Sequence, residues 1–204
     1  VLVVSSACDE GAAATIRALA LGAVDTLVKP DHGSMIGGFA ASLERKLQRL
    51  SQPRAPVSKA RAAAPAVGDD FDVVAIGAST GGIHALGLVL RALPPSFQVP
   101  ILITQHLPES FMPYFAAQVA ILAGRPCDVA TDHVRLRPGR AILAPGDAHL
   151  RCIRLGEGGP ALRLIRTRAA SGCMPSVDPM LASAAEVFGA RTLAIVLSGM
   201  GRDG

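Results

Sequence analysis

The sequence predicts an α/β fold built on a mostly parallel, doubly wound sheet. Three observations predict it. Short β-branched and aliphatic runs alternate with stretches of helical apolar spacing. The apolar material is mainly Ala, Val, Leu and Ile, with one Tyr, six Phe and no Trp in 204 residues, which suits layered strands and helices. Three of the apolar runs end in turns carrying Ser79, His106 and Asp203, and in an open parallel sheet the C-terminal strand ends gather along one edge where sites form.

Residues 1–6 read as a strand, and 9–21 as a helix with Ile16, Leu19 and Ala20 at apolar positions. Residues 24–28 read as a second strand. Residues 34–50 carry Met35, Ile36, Phe39, Leu43, Leu47 and Leu50 at helical spacing. Residues 51–70 hold Pro53, Pro56 and Pro65 among Ala, Arg, Lys and Ser without an apolar period, and read as an interdomain linker. Phe71 opens a second domain. Its first strand runs from Val73 into Gly77-Ala78-Ser79-Thr80-Gly81-Gly82, followed by a helix over about 83–92 and a turn at Pro94-Pro95. A strand over 99–104 and a helix over 111–122 come next. Residues 126–155 show short strands broken by Pro138-Gly139 and Pro145-Gly146-Asp147, which predicts an antiparallel excursion. Residues 161–168 read as a strand, 179–188 as a helix and 192–197 as the last strand.

Composition excludes several classes. No apolar run approaches the length of a membrane span, and no signal peptide is visible. The net charge of +4 comes from scattered Arg without interleaved aromatics, so no nucleic-acid surface is expected. Cys8, Cys127, Cys152 and Cys173 lie far apart with no C-x-x-C pair, which predicts neither a disulfide framework nor a zinc site and fits a reducing cytoplasm. The Gly77–Gly82 turn lacks the Lys-Ser or Lys-Thr of a P-loop and the spacing of a dinucleotide loop, so nucleotide binding is not expected.

Gly77-Ala78-Ser79-Thr80-Gly81 satisfies the G-x-S-x-G pattern of a serine-hydrolase nucleophile turn. Alone, it reads equally as a tight β–α turn with Ser79 capping the next helix. His106 and Asp203 weigh on the side of chemistry, because a nucleophile, a general base and an orienting carboxylate at three strand ends can assemble into one site. The order Ser, His, Asp differs from the Ser, Asp, His order of α/β-hydrolases. His84 is expected to point down its helix, and Asp178 to cap the helix that follows it. Asp147 and His149 read as parts of a structural turn, and His32 and His133 as solvated loop residues.

Five motifs then carry a resemblance: Gly77 to Gly82, Gln105-His106-Leu107-Pro108, Ala144 to Leu150, Pro175-Ser176-Val177-Asp178, and Gly199-Met200-Gly201-Arg202-Asp203-Gly204. In that order over residues 71–204 they resemble the catalytic domain of bacterial chemotaxis protein-glutamate methylesterases, the CheB family. Val1 to Ser6, Gly22-Ala23-Val24-Asp25 and Lys29-Pro30 resemble the fourth and fifth strands of that family's flavodoxin-like receiver domain. The resemblance implies residues 1–50 as the C-terminal part of a response-regulator receiver domain, 51–70 as a linker, and 71–204 as a C-terminally incomplete catalytic domain. It places the phospho-accepting aspartate upstream of residue 1. Residues 1–50 are accordingly expected to be loosely ordered or packed opportunistically.

The resemblance further implies hydrolysis of glutamate methyl esters on chemoreceptors, releasing methanol, and glutamine deamidation by the same acyl chemistry. It implies Ser79 as nucleophile, His106 as base, Asp203 as orienting acid, and the backbone N–H groups of Thr80 and Met200 as oxyanion donors. No cofactor or metal is expected for catalysis. The implied partners are methyl-accepting chemoreceptors and a histidine kinase acting on a complete receiver domain, in the cytoplasm. The chain departs from the pattern at Met174, where the family usually carries Arg before Pro175. A second class of function is a catalytically silent regulatory module of the same fold that binds a signalling partner.

Overall fold

The computed structural model describes residues 1–5, 9–30, 36–51, 71–79, 82–156, 159–198 and 203–204. Along the chain these form β1 (Leu2–Ser5), α1 (Asp9–Ala20), β2 (Asp25–Val28), α2 (Ile36–Ser51), β3 (Val73–Ala78), α3 (Gly82–Ala92) and β4 (Ile101–Gln105). A 3-10 turn (Glu109–Phe111) leads into α4 (Met112–Ala123), followed by β5 (Cys127–Val129), β6 (Ala141–Leu143), β7 (His149–Arg154), β8 (Pro160–Ile165), α5 (Asp178–Phe188) and β9 (Thr192–Ser198).

The central sheet has five strands in the order β5-β6-β4-β3-β9, and every pairing in it is parallel. Its middle strands β3 and β4 are buried at every residue, as expected of a parallel sheet covered on both faces. Alternate side chains divide between the two faces. Val74, Ile76, Ile101 and Ile103 share a core with Ile83, Leu86 and Leu90 of α3 and Phe115 and Val119 of α4. Val73, Ala75, Leu102 and Ile142 pack with Met180 and Ala184 of α5 and with Leu150, Cys152 and Leu162 of β7 and β8. The doubly wound α/β architecture expected from the sequence is therefore present.

One sequence expectation needs correction. The stretch over 126–155 is not a purely antiparallel excursion, because β5 and β6 join the central sheet in parallel, while β7 pairs antiparallel with β8 and Arg135 bridges Ala161 antiparallel. Three-residue strands are too short to display a period, and β6 takes its register from β4, with Ile101 opposite Ala141. The described part of residues 1–30, expected to be loosely ordered or packed opportunistically, packs through α1. β1 and β2 form a separate parallel pair, and Ala12, Ile16 and Leu19 of α1 are buried in the same core as α3 and α4. The i, i+4 and i+7 spacing of these three residues makes one apolar stripe, which meets α3, α4 and the 3-10 turn.

The end of β3 is pressed against the start of α5. A Cβ on Gly77 would lie 2.4 Å from Val177 Cγ1 and 2.9 Å from its Cγ2. Gly77→Ala is expected to cost about 1–3 kcal/mol, the usual range for overpacking, measured by urea unfolding. Val177→Ala in the same chain removes both clashing methyls and should restore most of the loss. An unrescued double variant would show that Gly77 is needed for another reason.

Candidate active site

The sheet reverses its winding at β3, whose neighbours are β4 on one side and β9 on the other, and ligands of open α/β sheets bind at such a switch point. Ala78, the last residue of β3, lies opposite Gln105, the last of β4. Ser79 and His106 therefore continue two adjacent parallel strands in step. The His106 N–H donates to the Ala78 carbonyl at 3.1 Å, and the Gly82 N–H to the Ser79 carbonyl at 2.7 Å, closing the turn into α3. Ser79 is half-buried at this edge.

His106 and Asp203, 97 residues apart, meet with Nε2 2.6 Å from Oδ2. The carboxylate of Asp203 is sealed from solvent, while the imidazole keeps 23% of its surface open, so only the imidazole can meet a substrate. An ionised carboxylate only accepts hydrogen bonds, so Nε2 carries the proton it donates to Asp203. Nδ1 is then the ring nitrogen that this contact leaves for another partner; the proton position is assigned from the network.

Asp203 is held from below by the entry to α5. Ser176 Oγ donates to Oδ1 at 2.5 Å. The Val177 N–H donates to Oδ2 at 2.9 Å and the Asp178 N–H to Oδ1 at 3.2 Å. These backbone donors are orphan N–H groups of the α5 N-terminus, whose dipole favours a negative charge. Burial pushes the Asp203 carboxyl up, but the donors from Ser176, Val177, His106 and Asp178 together outweigh it and hold the group below its usual range. Asp203 thus contributes stability at any pH above the unfolded carboxylate value of about 3.9, and that contribution is lost as pH falls through the lower folded-state value. The thermal midpoint is expected to drop on acidification below about pH 4, and Ser176→Ala should flatten that drop. An unchanged acid slope in the variant would assign the effect to other carboxylates.

Asp178 was expected to cap α5 and does not. It is the first helical residue, the N-cap Val177 makes no side-chain cap, and the Asp178 carboxylate instead accepts the Gly204 N–H at 2.9 Å. The Asp203 carboxylate thus holds the Asp178 N–H while the Asp178 carboxylate holds the Gly204 N–H, and the cap of α5 arrives from 25 residues further along the chain. His149, read as structural, is buried with both ring nitrogens engaged. The Ser176 N–H donates to Nδ1 at 2.7 Å, so Nε2 bears the proton and donates to the Thr167 carbonyl at 2.8 Å. A neutral His149 therefore fixes the backbone of Ser176. Gly146 lies under the loop that carries His106, where a Cβ would come within 2.2 Å of the Glu109 backbone nitrogen.

Of the expected site residues, Ser79, His106 and Asp203 lie at one sheet edge, with a direct contact between the last two. Thr80 and Met200 lie outside the described residues. His84 is exposed on α3. The sequence reading assigned Ser176 no role and His149 only a place in a structural turn, not the hold on Ser176 that the structure shows. Their only signal was their place inside matched motifs.

Residues 74–204 match the family model for CheB methylesterase. A Caulobacter vibrioides protein named protein-glutamate methylesterase/protein-glutamine glutaminase 1 is 37% identical over 211 residues, an alignment covering 100% of this chain and 60% of that protein. A Pseudomonas aeruginosa protein of the same name, numbered 2, is 39% identical over the same length, with the same shares. The chain thus spans about 60% of the length of these curated relatives. The crystal structure of the Thermotoga maritima CheB methylesterase catalytic domain superposes with a TM-score of 0.62 at 34% identity, covering 66% of this chain and 70% of that one.

Proposed function

The chain belongs to the CheB methylesterase family, and from that premise we propose that it hydrolyses glutamate methyl esters on methyl-accepting chemoreceptors through Ser79, His106 and Asp203. The observation that carries this reading is the His106–Asp203 pair at the strand end beside Ser79. Ser79 Oγ attacks the ester carbonyl while His106 Nδ1 takes its proton. Asp203 holds the ring by Nε2 and stabilises the imidazolium. The backbone N–H groups of Thr80 and Met200 receive the oxyanion. The imidazolium returns the proton to the departing methoxide, methanol leaves, and water activated by the same nitrogen opens the acyl-enzyme. A glutamine side chain entering the same site loses ammonia and yields glutamate.

In this reading residues 1–50 are the C-terminal part of a receiver domain that a histidine kinase phosphorylates when complete, residues 51–70 the linker, and residues 71–204 the methylesterase domain. The parallel β1–β2 pair with its helices supports the first assignment. Among the described residues no helix is long and apolar enough to cross a membrane. Cys127, Cys152 and Cys173 are free thiols, which fits action in the cytoplasm.

The test is a serine-reactive alkyl phosphonate followed by peptide mass mapping. Covalent label on Ser79 is expected, and a chain that stays unlabelled would support the silent regulatory module instead.

A further inference from the structure

We propose that His106, Cys173 and Asp203 form a binding site for a thiophilic divalent cation such as Zn2+, and that the bound ion switches the hydrolase off. One ligand atom from each residue lies within 4.8 Å of the other two. The three come from the end of β4, the segment between β8 and α5, and the segment after β9, so no local spacing announces them. The Cys173 segment is tied to the carboxylate. The Cys173 N–H donates to Ser171 Oγ at 3.3 Å, Ser171 Oγ donates to Ser176 Oγ at 3.1 Å, and Ser176 donates to Asp203.

An imidazole nitrogen, a thiolate and a carboxylate are the zinc donor set, and three protein ligands with one open position make an accessible site. With bonds of about 2.3 Å to sulfur and about 2.0–2.2 Å to nitrogen and oxygen, donors on one tetrahedral ion stand roughly 3.3–3.6 Å apart. The His106–Asp203 pair must open from 2.6 Å, and Cys173, half-buried beside the exposed Met174, must close by up to about 1.2–1.5 Å from the 4.8 Å bound to reach those separations. The other described thiols are poor competitors, because burial pushes Cys127 up to about 12 and Cys152 up to about 11.

The proton balance explains the inhibition. Cys173 gives its thiol proton to solvent as sulfur binds the ion. His106 moves its proton from Nε2 to Nδ1 as Nε2 binds, so the ring stays neutral. Nδ1 is the nitrogen assigned above as the base, and once protonated it cannot accept from Ser79. This last step rests on the proposed reaction, whereas the site itself does not.

The experiment titrates the chain with Zn2+ by calorimetry and with Co2+ by absorption, and measures methanol release from methylated receptor membranes with and without Zn2+. A one-site isotherm and a thiolate-to-cobalt charge-transfer band are expected. Cys173→Ser should abolish the band and weaken Zn2+ binding by at least about 10–100-fold, the loss that even an outer-shell change causes. The ratio of rates without and with Zn2+ should fall toward one in that variant. No band in the parent chain, or a band that survives Cys173→Ser, overturns the site. Saturating Zn2+ that leaves hydrolysis unchanged overturns the switching role. Absence of hydrolysis without any metal overturns the proposed reaction and leaves the two titrations to decide the site.

Discussion

Ser79→Ala is expected to lower methanol release by roughly 10⁴- to 10⁶-fold, the range seen when a triad nucleophile is removed. The residual rate should come from binding and the oxyanion donors alone. Folding should be unaffected, because Ser79 anchors its turn through its backbone carbonyl, which accepts the Gly82 N–H. In the proposed reaction the side chain carries the chemistry, and the main chain carries the turn. Far-ultraviolet circular dichroism and the urea midpoint should therefore match the parent within about 0.5 kcal/mol, the usual spread for a substitution outside structural features. Near-parent methanol release from a folded Ser79→Ala chain would remove Ser79 from the mechanism.

Asp203→Asn is expected to cut kcat by about 10⁴-fold with little change in KM, as when a triad acid becomes an amide and the imidazole takes the wrong tautomer. An amide NH2 at this position would face His106 Nε2–H or the Val177 and Asp178 N–H groups, donor against donor. Asp203 also completes the start of α5, so this variant carries a second penalty. Leaving a buried donor unsatisfied costs about 1–3 kcal/mol. The two effects separate in Ser176→Ala, which removes one donor to the carboxylate and leaves the His106 contact in place. That variant should lose stability and keep most of its kcat. If Asp203→Asn loses only stability, the residue is a cap and not part of the catalytic machinery.

The strands that carry the site were legible because each is a strong local signal. β3, β4 and β9 are aliphatic runs ending in Gly-rich or Pro-containing turns, and in β3 and β4 burial on both faces requires that pattern. The meeting of three strand ends followed from parallel topology alone. Long-range contacts were not legible in the same way. The cap of α5 is set by Asp203, and a local search for Ser, Thr, Asp or Asn before the helix finds Asp178 and stops there. β5 and β6 acquire their direction from β4, not from their own letters. The docking of α1 was half visible. Ile16 and Leu19 marked the stripe, but nothing local to α1 says that α3 and α4 receive it. Cys173 was set aside on spacing, and only the fold brings its sulfur beside His106.

The reciprocal clamp between Asp203 and the start of α5 makes two backbone amides into observers of the active site. The Val177 and Asp178 N–H groups donate to the carboxylate that orients His106, and Val177 is buried. Their nitrogen resonances and their hydrogen-exchange rates therefore register whether the acid is ionised, seated and engaged, without substrate and without turnover. A variant or an inhibitor that unseats Asp203 alters these two signals first, while amides in the middle of β4 keep their protection. Assembly of the His106–Asp203 pair is in this way readable by magnetic resonance in a silent protein.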